Sequence, residues 1–331
     1  MPVLTNGSRI GKTDFLMLMT ILFWAVNLSM IKIGLRDLSP HGFNAIRLSI
    51  AALAFLLLLA VRRQTFRLTR GDGWRAVGLG ILGIAAYQVF FIQGISRTNA
   101  STTSILLGTS PIFIALLSTA LGQERIHWAA WLGIAISFAG CLVVVSGDNG
   151  GLAFSWRGLQ GVALILVANL CWAAYTVFSK PVLDRNPPFK LAALSTVAGT
   201  ILYLPFALRD VAAIDWHRIT WEGWGAILYS GLISIVLCFA VWYHSLRKVG
   251  SAKTGIYSNL TPIFASAFAV IFLGEDISGI QAAGAAIVLA GVYLTRSGYR
   301  FFERRTASEA LGPSEKTLRE EIPVDLSGRP S

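Results

Sequence analysis

Phe23-Trp24-Ala25-Val26-Asn27, which leads through Lys32 and Leu35 to Pro40, is written a second time as Cys171-Trp172-Ala173-Ala174-Tyr175, which leads through Lys180 and Leu183 to Pro188. Trp, Ala, Lys, Leu and Pro recur at an offset of 148. Farther on, Ser110-Pro111-Ile112-Phe113 is echoed by Thr261-Pro262-Ile263-Phe264, and Glu124, Gly140 and Gly147 by Glu275, Gly291 and Gly298, all at 151. A few loop insertions account for the drift, so the chain reads as one domain written twice. If each copy holds five membrane spans, an odd number, the second copy must enter the membrane from the opposite side. Two such pseudo-symmetric halves can rock around a site held between them.

Composition says why the copies are membrane domains. Of 331 residues, 54% are hydrophobic and 14% charged, with a mean hydropathy of +0.63. The gaps between charged clusters define ten apolar stretches, roughly 14–34, 41–61, 74–95, 100–121, 128–147, 158–179, 190–208, 222–244, 252–273 and 279–297. Each approaches the 17–25 residues that cross a hydrocarbon core about 30 Å thick. Lipid accepts only helices or closed barrels, and the ten-residue alternation of a barrel is absent. The expectation is an all-α polytopic protein of ten transmembrane helices around a central cavity. Its parts are a cytoplasmic N-terminus (1–13), a first repeat (14–147), an external linker (148–157), a second repeat (158–298) and a basic, then disordered, cytoplasmic tail (299–331).

The net charge of +11 reads as topology and not as a nucleic-acid signal. With the N-terminus inside, 18 Lys and Arg fall on inner segments and seven on outer segments or outer halves of spans, Lys32, Arg36, Arg47 and Arg97 among the seven. That asymmetry fits the positive-inside rule with both termini cytoplasmic, with some contact to anionic lipid. Short loops suit a bacterial inner membrane. Cys141, Cys171 and Cys238 lie apart inside apolar stretches and read as packing residues, with no disulfide or metal spacing. No cofactor is implied, and a fused duplication supplies both halves, so a monomer suffices.

No acidic residue falls at mid-membrane; Asp14, Asp37, Asp72, Glu124, Glu275 and the rest sit at span ends or in loops. Carboxylate-based proton antiport is therefore disfavoured and a facilitator favoured. His244, near a span end, is the alternative proton carrier, or else a locally bonded interfacial histidine. Within the spans, Asn27, Gln88 and Asn169 are costly to leave facing lipid and should face the bundle or a wet cavity. Trp24 and Trp172 lie too deep for an interfacial belt and serve either a cavity or core packing. Trp74, Trp128, Trp131, Trp156, Trp216, Trp221 and Trp224 read as belt residues, with Trp242 and Tyr243 under the same suspicion.

The fourth and ninth stretches carry Thr102 with Gly108 and Pro111, and Gly255, Tyr257 and Asn259 with Pro262. A proline within a helix leaves a carbonyl four residues earlier unpaired, here those of Leu107 and Ser258. The paired occurrence marks either packed kinks or hinges beside a solute path. The candidate substrate-binding set is Trp24, Asn27, Tyr87, Gln88, Thr102, Asn169, Trp172, Tyr175, Tyr243, Tyr257 and Asn259. The candidate hinges are Gly108, Pro111, Gly255 and Pro262.

These motifs resemble the EamA family of the drug/metabolite transporter superfamily. Phe23-Trp24-Ala25-Val26-Asn27 with Pro40 and Arg47 is similar to the family's opening. Pro111-Ile112-Phe113 through Leu121-Gly122-Gln123-Glu124 to Ala139-Gly140 is similar to the end of its repeat, and Pro262-Ile263-Phe264 through Leu273-Gly274-Glu275 to Ala290-Gly291 repeats it. The resemblance covers about residues 12–300. It implies two inverted five-helix repeats, a cavity lined mainly by spans 1, 3, 4, 6, 8 and 9, and efflux of small metabolites. An aromatic and amide lining would suit an amino acid or related compound. Against a membrane-embedded enzyme, the four histidines are scattered over both sides and no Walker A, HExxH or GxSxG pattern occurs. A receptor or scaffold without transport would share the same helices, and only a flux measurement separates it.

Overall fold

The computed structural model describes residues 12–63, 68–69, 71–121, 128–147, 155–249, 257 and 260–310. Those residues are helical apart from short turns. In chain order the helices are α1 (Lys12–Gly34), α2 (Pro40–Val61), α3 (Asp72–Arg97), α4 (Ala100–Ala120), α5 (Trp128–Ser146), α6 (Trp156–Leu183), α7 (Pro188–Ala212), α8 (Trp221–Lys248), α9 (Thr261–Leu273) and α10 (Gly279–Ala310). Among the described residues seven of them, α1 to α4 and α6 to α8, are long and apolar enough to cross a membrane; Trp131–Val144, Thr261–Leu273 and Gly279–Leu294 are shorter apolar helices. Their outer faces are greasy. Leu57, Ile201, Phe206 and Ile271 are each more than 60% exposed, which water would not tolerate over so large a surface and lipid does. The chain is a multi-pass membrane protein.

Helix starts follow local chemistry. Pro40 and Pro188, counterparts across the repeat, occupy first turns where a missing N–H costs nothing. Ser39, Ser155 and Thr220 cap α2, α6 and α8 by accepting from the N–H groups of Gly42, Gly158 and Gly223. The last helix runs on to Ala310, past the expected end near 297 and into what was expected to be tail, because the sequence there is rich in strong helix formers. Residues 311–331 lie outside the described residues.

The duplication is visible as exchanged contacts. Helix α1 packs on α9 and α6 on α4; α3 packs on α6 and α8 on α1; α3 packs on α7 and α8 on α2. The two copies thus interlock. The tightest pair is α5 with α10. A Cβ on Gly140 would lie 2.7 Å from the backbone N of Val288, and one on Gly291 would lie 2.5 Å from that of Ser137. Those contacts are the same contact with the repeats exchanged, and Ser137 and Val288, themselves counterparts, touch (Oγ to O, 3.4 Å). Gly147 meets Gln281 and Gly284 meets Val144, so the register runs antiparallel. Counterparts that meet antiparallel are related by a two-fold lying across the helices, as in an inverted repeat.

Helices α3 and α8 each contain a π-helical segment, Ile81–Ala86 and Tyr229–Leu237, and the two begin at counterpart positions. Gly83 and Gly231, also counterparts, sit within them. The Tyr175 ring lies on the bare backbone of Gly83, and the carbonyl of Arg47 lies 2.9 Å from where a Gly231 Cβ would stand.

Candidate functional site

Halfway along the bundle, where the repeats interlock, lies a cavity of about 100 Å³. Helix α1 contributes Trp24, Asn27 and Leu28; α2 contributes Arg47; α3 contributes Tyr87, Gln88 and Phe91; α4 contributes Leu107 and Ser110. The second repeat adds Asn169 and Trp172 from α6, Ser234, Ile235 and Phe239 from α8, and Thr261 from α9.

One wall is aromatic. Trp24 and Trp172, counterparts in the duplication, meet edge to face at 5.9 Å between ring centroids. Phe239 lies 6.1 Å from Trp24 and 5.7 Å from Trp172, Tyr87 lies 5.5 Å from Trp172, and Trp242 backs both indoles at 5.2 and 5.5 Å. The Trp24 indole N–H donates to the Ser234 carbonyl at 2.9 Å, within the π-helical part of α8. Non-α backbone there offers a carbonyl sideways, which locks the ring.

Polar groups share the lining. Arg47, 2% exposed, donates from Nε to Asn44 Oδ1 at 2.6 Å and from Nη2 to Gln88 Oε1 at 2.8 Å, with its guanidinium 5.6 Å from the centre of the Phe43 ring. Asn27 is buried and its Oδ1 has no hydrogen-bond partner among the described residues.

Asn169 is otherwise engaged. Its Nδ2 donates to the Leu106 carbonyl at 2.7 Å and to Thr109 Oγ1 at 3.1 Å, and Ser110 Oγ lies 2.7 Å from its Oδ1. These groups flank the interruption of α4 at Gly108 and Thr109, where the Leu106 carbonyl also accepts from the Thr109 N–H at 3.1 Å and its Oγ1 at 2.7 Å, so Asn169 of the second repeat ties the break in the first to α6. Pro111 opens the next helical segment from its first turn and Pro262 does the same in α9. This corrects the expectation of mid-helix prolines, and for Leu107 that of an orphaned carbonyl. The Leu107 carbonyl has Ser110 Oγ 2.6 Å away. Gly108 and Pro262 meet each other, with the Pro262 ring 2.7 Å from where a Gly108 Cβ would be.

Of the substrate-binding candidates, the structure thus gathers Trp24, Asn27, Tyr87, Gln88, Asn169 and Trp172. Four others do not line the cavity. Thr102 is buried between α4 and α10, with its Oγ1 3.4 Å from Gln281 Nε2. Tyr243 donates to the Tyr175 hydroxyl, which lies 3.3 Å from Ser195 Oγ; both rings form a packed layer beside Trp172. Tyr257 donates to Asp14. Asn259 and Gly255, like the Ser258 carbonyl, lie outside the described residues. The seven tryptophans assigned to the belt are exposed, whereas Trp242, under the same suspicion, is 1% exposed and belongs to the core. His244 is exposed and away from the cavity, whereas His41 is held between Tyr203 (Nδ1 to the hydroxyl, 2.8 Å) and Gln93 (Nε2 to Nε2, 2.7 Å). Arg47 is the residue missing from the expected set: counted with the charges of outer segments and outer span halves, it lies buried in the cavity lining, and its place eight residues into α2 is the signal that could have found it.

Comparison with known proteins agrees with this architecture. A solved crystal structure superposes with a TM-score of 0.67 at 19% identity, covering 89% of this chain and 100% of that one, which speaks for the fold alone. An "Uncharacterized transporter" of Archaeoglobus fulgidus is 31% identical over 288 residues, 86% of this chain and 97% of that protein. A "Probable amino-acid metabolite efflux pump" of Salmonella typhimurium is 25% identical, covering 89% and 98%, and a "Probable terminal-alkyne amino-acid exporter" of Streptantibioticus cattleyicolor is 28% identical, covering 86% and 94%. The EamA-like transporter family matches twice, over residues 11–146 and 159–297, the same two copies whose helices interlock around the cavity. This chain belongs to the EamA-like transporter family.

Proposed function

We propose that this protein is a secondary transporter that moves amino acids or related small metabolites across the bacterial inner membrane, chiefly outward, by alternating access. The observation that carries this reading is the cavity itself, held midway along the bundle at the junction of the two repeats, with aromatic and polar side chains together in its lining. Small-molecule sites combine apolar area with a few placed polar groups in this way. The full arrangement we propose is ten crossings, in two inverted repeats of five, with both termini cytoplasmic, acting as a monomer without cofactor, ATP or covalent chemistry. Membrane lipid and the solute are its partners. The reading is supported by the antiparallel counterpart contacts of α5 and α10 and by the names of the relatives.

Purified protein in liposomes, offered a mixed pool of amino acids, nucleosides and organic cations without a pH gradient, should take up amino acids selectively, as read by mass spectrometry of the contents. No uptake above protein-free liposomes, with or without a pH gradient, would overturn the reading and leave the receptor or enzyme alternatives.

A further inference from the structure

Arg47 is an intramembrane cation that no carboxylate among the described residues answers. Among the described residues the cavity lining contains no Asp or Glu and Arg47 forms no ion pair. Its two hydrogen bonds end on amide oxygens, which orient a guanidinium without neutralising it, and its Nη1 has no hydrogen-bond partner among the described residues. A purely structural role would need only a neutral donor at this place, since Asn44 and Gln88 sit on α2 and α3 and could be bridged by an uncharged amide. An uncompensated charge at membrane depth is expensive and is kept where function uses it. The planar fork of Arg suits an oxyanion, a carboxylate or a phosphate; in a cavity of about 100 Å³ with aromatic rings and an unpartnered amide oxygen in its lining, the smaller, singly charged carboxylate is the better match.

We infer that Arg47 is the anchor for a carboxylate group of the transported solute, so that the site takes zwitterionic and anionic monocarboxylates and rejects solutes that carry only a positive charge. The inference rests on the transport reading and deepens it. Asn44 and Gln88 fix the guanidinium so that it meets the incoming carboxylate already oriented. Asn27 Oδ1, buried and unpartnered, is the acceptor available to an ammonium group, which makes a zwitterion the best fit. The aromatic wall holds the apolar side chain. Taken alone, that wall would also attract a cation through its ring faces; the fixed positive charge of Arg47 in the same lining opposes it, which is what turns a general aromatic box into a selective one.

The test uses three solutes with one alkyl skeleton: leucine, 4-methylpentanoate, which lacks its amine, and isoamylamine, which lacks its carboxylate. Binding to detergent-purified protein is read by thermal shift and by quenching of tryptophan fluorescence. Leucine and 4-methylpentanoate should bind at least about 10-fold more tightly than isoamylamine. Arg47→Gln should erase that difference. Because Arg47→Gln could fold poorly, Gln88→Glu supplies the second arm: it places a carboxylate where Gln88 Oε1 lies 2.8 Å from Nη2, so the guanidinium is already paired and 4-methylpentanoate binding should fall about 10-fold while the new ion pair still joins α2 to α3. Equal binding of the amine by wild type, retention of carboxylate preference in both variants, or no binding by any of the three would overturn the anchor. Flux separates the two readings: carboxylate-selective binding without flux of any solute sinks the transport reading alone, and flux without carboxylate preference sinks the anchor alone.

Discussion

Asn169 and Arg47 show how differently two polar residues in a membrane bundle can be used. Asn169 was legible in the sequence as an amide that must avoid lipid, and it does, but its partners are the backbone and hydroxyls at the break in α4. That assignment was beyond sequence reasoning, because periodicity cannot say which helix will pack against an interruption. Replacing Asn169 with Leu should lower stability by about 1–3 kcal/mol, because its three bonds to the Leu106 carbonyl, Thr109 Oγ1 and Ser110 Oγ are lost together in a buried setting. This exceeds the ~0.6 kcal/mol of an average interhelical bond in a membrane, where the unfolded reference finds other partners. Thermal unfolding in detergent would show it, and an unchanged midpoint would mean that α4 closes its own break. The tryptophans were the most legible residues. Depth along a span separated Trp24 and Trp172 from the exposed seven, and failed only for Trp242, where a position close to a span end concealed a ring turned inward.

At the scale of elements, apolar length alone located nearly every helix to within a few residues, because in lipid the backbone has no alternative to helix. Hydropathy carried no trace of the two π-helical segments, whose residues are as apolar as their neighbours. The repeat offset, however, places Ile81 and Tyr229 at the same point of the two copies. Nor could it tell which glycines are spacers. Gly140 and Gly291 let α5 and α10 approach until backbone meets backbone, so Ala at either should force the helices apart and cost about 1–3 kcal/mol. Gly225, in α8, has nothing within 4 Å of its absent Cβ, and Ala there should be neutral or stabilising by up to about 1 kcal/mol. Comparing the three midpoints tests the contrast; similar losses at all three would mean that helix flexibility, not close approach, is what these glycines supply.

For the whole molecule, the duplication makes a mechanical statement through residues that the sequence motifs did not mark. At one end of the bundle, Asp37, in the turn between α1 and α2, accepts from the Thr220 N–H at 2.9 Å and its hydroxyl at 2.5 Å, at the start of α8. At the other end, Arg185, in the turn between α6 and α7, donates to Asp72 at 2.8 and 3.2 Å, at the start of α3, and Asn186 joins at 2.7 Å. Positions 37 and 185 are counterparts, and so are 72 and 220; the same joint is built twice with its chemistry changed. Both joints are closed together in this structure. They fasten α8 to α1 and α2, and α3 to α6 and α7, giving two units that each borrow a helix from the other repeat. If those units move as bodies during transport, tying a joint shut should be harmless. In a protein with Cys141, Cys171 and Cys238 replaced by Ala, Asp37→Cys and Thr220→Cys bridged by a short bis-maleimide should keep at least about half the flux of the uncrosslinked protein. Proteoliposome uptake checks this once mass spectrometry has confirmed the bridge. Near-complete loss of flux would mean that the turn and α8 part company during the cycle and that the moving bodies are the repeats themselves.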